Sequence, residues 1–176
     1  HQESRGGLTA TWVSGISLER QSPAMLVALG RRHHTTSLVD RSQTFLLHLL
    51  KPEQVGTALK FGINSGHTTD KFSDVEVTES ANGNPRLTNC LGWLECRVYS
   101  RLEAADRCFY WADVVDGKRM AIEKPLTEND MMAAATDGQM KLLLEQKVRD
   151  GLFDVEARRA WKQNLPSFLS PSAHAD

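Results

Sequence analysis

The chain has 176 residues, 40% of them hydrophobic and 24% charged, which suits one well-buried core in an ordinary soluble globular domain and argues against disorder. Twenty-one Lys and Arg against 22 Asp and Glu leave a formal charge of −1, so no global field attracts nucleic acid or an acidic membrane, and an anion must be caught locally. Three cysteines, Cys90, Cys96 and Cys108, sit inside apolar runs and point to a reducing cytoplasm rather than a disulfide framework, while no run reaches the roughly 18 to 20 apolar residues of a membrane span.

Five polar or charged residues and two glycines precede the first expected strand, an abrupt start without a signal-peptide pattern that leads us to expect further chain upstream. From Leu8 to Leu18 the sequence alternates, with Leu8, Ala10 and Trp12 on one set of positions and Thr9 and Thr11 between them. This pattern predicts a strand with hydroxyls along one face. After a turn at Pro23, the run Ala24 to Leu29 reads as a strand buried on both faces. The segment Gly30-Arg31-Arg32-His33-His34-Thr35-Thr36-Ser37 then supplies guanidinium charge and hydroxyl donors, the combination a phosphate monoester needs. Thr35 or Thr36 is expected to cap a short helix over Ser37 to Arg41, and Thr44 to Leu50 to return as a strand.

Pro52 stands where a first helical turn tolerates it, and Val55, Ala58, Leu59 and Phe61 have helical spacing up to a stop at Gly62. Ile63 to Asp70 is a loop of Asn, Ser, Gly, His and Thr, and Val75 to Glu79 alternates as an edge strand before a turn at Ala81 to Pro85. Cys90 to Tyr99 and Cys108 to Val115 are the two longest strands, the second ending at Asp116-Gly117, a hairpin signal leading into Arg119 to Ile122. Thr127 to Asp130 can start a helix. Met140, Leu143, Leu144, Lys147 and Val148 follow a helical stripe to Gly151, and a separate piece with a cap at Asp154 runs to about Gln163, ahead of a frayed tail from Pro166 to Asp176.

Short antiparallel strands with helices between and after them give an α+β class, mainly β, most simply a closed or nearly closed barrel. Side chains fill a small barrel, so a ligand must lie outside it or between subunits. Neither a Gly-x-Ser-x-Gly elbow, a Gly-x-Gly-x-x-Gly turn nor a phosphate-loop lysine motif is present. Adjacent His33 and His34 point to different sides of an extended chain and make poor joint metal ligands, so no metal is expected.

Four segments in order, Gly7 to Ser14, Phe61 to Phe72, Leu94 to Val98 and Asp113 to Gly117, resemble the flavin reductase-like family, whose members fold as FMN-binding split β-barrels, antiparallel and Greek-key-like. The resemblance covers Leu8 to about Ile122. The family pattern carries one more strand and a helix ahead of the first segment, and this bears on barrel closure. The resemblance implies an FMN whose ring edge is met by Thr9, Ala10, Thr11 and Trp12. It also implies a ribityl phosphate near Arg31, His34, Thr35 and Thr36, with Ser65, Gly66 and Lys71 as further cofactor-binding candidates. NADH or NADPH would be the electron source, the chain a cytoplasmic homodimer, and residues 1–124 the barrel, with 125–176 a helical extension packed on it or on the partner. Where many family reductases carry Gly-Asp-His, this chain reads Ala105-Asp106-Arg107. Arg107 is therefore a candidate for binding an anionic substrate, and FMN binding without nicotinamide-dependent reductase activity is the rival expectation.

On the residues alone, Thr9 and Thr11 also fit a solvated strand face, Trp12 a core aromatic, and the Asn64 to Lys71 loop a simple connector.

Overall fold

The structure is a computed structural model that describes residues 5–169. Its centre is a five-stranded antiparallel sheet in the order β1 (Val13–Gly15), β2 (Ala24–Gly30), β7 (Arg107–Arg119), β6 (Gly92–Ala104), β3 (Thr44–Leu49). Two short strands, β4 (Val77–Glu79) and β5 (Pro85–Leu87), pair separately. Helices α1 (His34–Ser42), α2 (Val55–Ile63), α3 (Glu128–Ala134) and α4 (Asp137–Gln163) occupy the connections and the C-terminal part. The mainly antiparallel α+β expectation is met. Among the described residues the sheet is open, with β1 and β3 as its edges.

The apolar run Ala24 to Leu29 becomes the strand between β1 and β7, its Val27 opposite Tyr110. Val27, Leu29, Val39, Cys108 and Tyr110 form the core beneath α1, with Leu8, Phe45, Leu47 and Val98 packed against it. Fully buried Tyr110 donates its hydroxyl to Asp40 Oδ1 at 2.7 Å, and Arg101 donates to the same carboxylate oxygen at 2.7 Å, which pins α1 to the sheet. Burial and the Asp40 charge push the Tyr110 hydroxyl pKa up, so the donor keeps its proton. A second cluster, Ala58, Leu59 and Met131, joins α2 to α3, and Leu143 of α4 packs against it. Thr127 and Thr136 cap α3 and α4 through capping boxes with Asp130 and Gln139.

Four local expectations are corrected. Asp116-Gly117 does not turn into a further strand over Arg119 to Ile122: both residues continue β7, and the hairpin is instead the one between the long strands at Ala105-Asp106, where Ala105 has φ 55°. Gly117 continues β7 opposite Leu94, and a Cβ there would lie 2.9 Å from Leu94 Cδ2 and 3.1 Å from the Trp93 carbonyl oxygen. Its glycine serves close strand approach beside a bulge, not a turn. Only Val13 to Gly15 of the expected Leu8 to Leu18 strand pairs in the sheet, although Ala28 N and Ile16 N extend the contact at either end by bonding Trp12 O and Ala24 O. Neither Thr35 nor Thr36 caps α1. Its N-cap is His33, and the Thr36 hydroxyl instead donates to Gly30 O at 2.7 Å. Finally, Gly151 does not stop a helix: α4 runs 27 residues through it, and Asp154 is interior. A helical glycine costs only about 1 kcal/mol against alanine, which contacts on both sides of it offset. Of the expected frayed tail, residues 170–176 lie outside the described residues, and Ser167–Leu169 form a single 3-10 turn.

Candidate functional site

A cavity of about 2000 Å³ opens along the Val27 and Tyr110 face of the sheet. Thr9, Ala10, Thr11, His34, Thr35 and Gly66 all line it, so three sequence-distant candidate segments meet there. The first segment is held at its base. Thr9 Oγ1 donates to Ala58 O of α2 at 2.6 Å, and Arg5 bonds Asp70 bidentately, Nη2 to Oδ2 at 2.6 Å. Beyond Thr9 the strip is open: Ala10, Thr11 and Trp12 are exposed, and among the described residues the N–H groups of Ala10 and Thr11 meet no acceptor. Exposed, unpaired backbone donors next to an apolar cavity are what a planar heterocycle with carbonyl and ring-nitrogen acceptors would use.

The second segment is the start of α1. Gly66, from the loop after α2, comes so near that a Cβ on it would lie 2.7 Å from His34 Nδ1, and the His34 and His67 rings meet edge to face with centroids 5.0 Å apart. Burial, and after it the neighbouring His67, Arg41 and Lys71, lower the His34 pKa. Burial likewise lowers His33, against the opposing pull of Asp150. Arg41 and Lys71 thus put positive potential on this corner, which an anion placed there would offset.

Several candidates are placed differently. Lys71 is buried, donating Nζ to Phe61 O and Asn64 O at 3.1 and 3.0 Å; burial brings its pKa down to about 8. It ties the C-terminal end of α2 to the following loop, where a cation meets the helix dipole favourably. Ser65 shapes the same loop by accepting from His67 N. Thr36, 2% exposed, is a buried brace of the turn after β2. Arg31 pairs with Glu103 at 2.6 Å and donates to Ala105 O at the β6–β7 hairpin.

Arg107 lies beside that hairpin with its guanidinium 4.8 Å over the Trp12 ring. Its Nε contacts Asp106 Oδ2 at 2.7 Å and its Nη2 contacts Asp154 Oδ2 of α4 at 3.5 Å. Burial together with neighbouring Asp106 raises the Asp154 pKa, and Arg107 opposes that rise. His67 and Arg5, which the sequence reading leaves out, also line the cavity, and Asp154 enters only as a partner of Arg107. A long loop after α2 hinted at His67, but no local pattern links residue 107 to residue 154.

Among the described residues no group of three or more His, Cys, Asp or Glu could hold a metal ion. Cys90, Cys96 and Cys108 are free and buried. Among the described residues no helix is long and apolar enough to cross a membrane.

The family model for a flavin reductase like domain matches residues 1–133. Diflavin flavoprotein A 1 of Synechocystis is 30% identical over 117 residues, 66% of this chain but 20% of that protein. The reductase component of 4-nitrophenol 4-monooxygenase/4-nitrocatechol 2-monooxygenase of Rhodococcus opacus is 31% identical over 109 residues, 62% of this chain and 57% of that one. The chain therefore spans about a fifth of the diflavin protein and rather more than half of the reductase component. Among solved structures, an NADH:FAD oxidoreductase of Streptomyces globisporus superposes with TM-score 0.59 at 22% identity, covering 66% of this chain and 72% of that one. An FMN-binding protein of Thermus thermophilus superposes with TM-score 0.62 at 18% identity, covering 68% and 65%. At these identities the superpositions establish the shared fold.

Proposed function

Because this chain belongs to the flavin reductase like family, we propose that it binds FMN in the cavity between the Thr9 to Trp12 strip and the start of α1 and passes electrons from NADH or NADPH to that flavin or to a partner. One observation carries the site: Ala10 and Thr11 offer open N–H donors on the same cavity that His34, Thr35 and Gly66 line at its cationic corner. The residues fit the group on its chemistry. Backbone donors suit the acceptor edge of the ring, and a corner at positive potential suits a phosphate dianion. Bound FMN would supply the hydride-accepting ring nitrogen, and the protein the position and the electrostatics.

The chain's own residues then have separable tasks. Thr9 anchors the ring strip on α2, Gly66 admits His34 to the phosphate corner, and Trp12 stacks with Arg107 on the other face of the sheet, outside the cavity lining. Thr36, Ser65 and Lys71 act from behind by holding the turn and loop that present these groups. Arg107, where many family reductases carry histidine, would receive an anionic substrate once released from its carboxylates. We further propose a homodimer in a reducing cytoplasm, with residues 1–124 as the flavin unit and 125–176 as its helical extension.

Titrating the purified chain with FMN while following flavin fluorescence tests the core of this: saturable quenching is expected, and a chain that leaves FMN fluorescence unchanged refutes it. The pairing of Arg107 with two carboxylates favours one rival, an FMN-binding module without nicotinamide oxidation. NADH and NADPH oxidation above the free-flavin background rejects that rival.

A further inference from the structure

Helix α4 lies wholly beyond the family-matched residues 1–133, yet it contacts α2, the turn after β2 and the start of β7. Leu143 packs on the α2 cluster and Gln146 Nε2 donates to Ile63 O at the end of α2. One turn further, Asp150 Oδ2 stands 3.9 Å from His33 Nε2, and the Phe153 ring lies 5.1 Å beneath the Arg32 guanidinium. Asp154 then reaches Arg107. None of the α4 residues is buried, so the helix is held by a row of half-exposed contacts rather than by a core. Such an element belongs to the low-stability end of a fold, where local opening is easy.

The charges it brings oppose those of the proposed ligand. Arg107 is shared between Asp106, 5% exposed, and Asp154, while Asp150 faces the basic turn. A dinucleotide's pyrophosphate would seek the same guanidinium, and both cannot hold it on the same face.

We propose that Asp154 is a positioning residue through which α4 latches Arg107 over Trp12, and that a nicotinamide dinucleotide must displace this carboxylate to reach the guanidinium. The inference rests on the flavin reductase reading above. A latched state lowers the apparent affinity for the nucleotide by the fraction of chains that are open, and leaves the flavin corner at His34 and Gly66 untouched. No bond is made or broken in the exchange: one carboxylate leaves the guanidinium and a phosphate oxygen takes its place.

The test uses the full chain and the substitution D154N, which keeps size and removes charge, with D154E as the conservative rescue. Circular dichroism first establishes that each variant is folded. Hydrogen exchange across residues 146–163 is then followed without nucleotide and with saturating NAD+ or NADP+. Faster exchange in D154N, faster exchange of the wild-type segment on nucleotide binding, and wild-type behaviour in D154E are expected. In FMN-loaded protein, D154N should lower the KM for the preferred nucleotide about two- to fivefold, as expected for one partly exposed ion pair, with kcat and FMN affinity within about twofold. Unchanged exchange in D154N and on nucleotide addition, with an unchanged KM, overturns the latch. A chain that binds no FMN refutes the flavin reading instead, and the exchange of D154N without any ligand still decides whether Asp154 holds α4 down.

Discussion

Acidification from pH 7 to pH 5 should destabilise this protein through one identifiable imidazole, His48. It lies on β3, and its Nε2 accepts the backbone N–H of Leu87 at 3.2 Å, joining the central sheet to the β4–β5 pair. An acceptor nitrogen must be unprotonated. Burial, helped by the nearby positive charge of Arg86, lowers the His48 pKa from 6.5 to about 4. Between those two values the unfolded chain binds a proton that the folded chain refuses, so stability falls as pH drops through the window. At about 1.4 kcal/mol per pH unit the full penalty approaches about 3 kcal/mol, and the part lost between pH 7 and pH 5 is about 2 kcal/mol. The assay is urea unfolding at both pH values for wild type and H48Q, whose amide oxygen can accept from Leu87 N without titrating. Carboxylates common to both chains cancel in the difference. H48Q should lose about 2 kcal/mol less than wild type on acidification; equal losses in the two chains would refute the reasoning.

Three further outcomes follow from single contacts. T36V removes the hydroxyl that donates to Gly30 O inside the turn after β2. It should lower unfolding free energy by about 1 kcal/mol, measured in urea, and weaken FMN binding in the same titration, because the turn presents His34. G117A should cost about 1 to 3 kcal/mol, since the added methyl meets Leu94 and the Trp93 carbonyl, whereas a turn glycine free of neighbours would lose little in contacts. The three thiols should stay silent to Ellman's reagent in native protein at pH 8 and react together in denaturant. Cys96 is 0% exposed and pushed up to about 12 by burial and the Glu95 charge, and burial also raises Cys90 and Cys108. Prompt reaction of one thiol in folded protein would contradict that burial.

What could be read from residues alone tracks the range of the interaction involved. Ala24 to Leu29, Thr44 to Leu49 and the Thr127 cap were legible because alternation, apolar runs and capping chemistry act over a few residues. Asp116-Gly117 misled for the opposite reason. A glycine after aspartate serves a turn or a tight strand contact equally well, and only the register against Trp93 and Leu94 decides between them. Gly151 misled in the same way, because the contacts of Leu143, Gln146 and Phe153 that carry the helix through it lie on other elements. Thr36 was chosen for its hydroxyl, and the hydroxyl is used, but on the backbone six residues earlier.

The candidate site divides along the same line. Thr9, Ala10 and Thr11 come to one cavity with His34, Thr35 and Gly66 although β1, β2, β3 and α2 lie between them in the chain, and only the ordered family segments made that convergence expected. Arg107 shows where such ordering stops. A family pattern names the position and notes that histidine has been exchanged for arginine, but what the arginine can do depends on Asp106 beside it and on Asp154, which lies 47 residues further along. A guanidinium cannot lose its proton, so arginine at this position cannot serve as the proton-exchanging group a histidine would be. Its use is electrostatic, and an electrostatic group is governed by whatever carboxylates share it. The exchange at position 107 and the acidic face of α4 are therefore one feature: the cation gains its control from a helix outside the matched domain, and neither half is interpretable without the other.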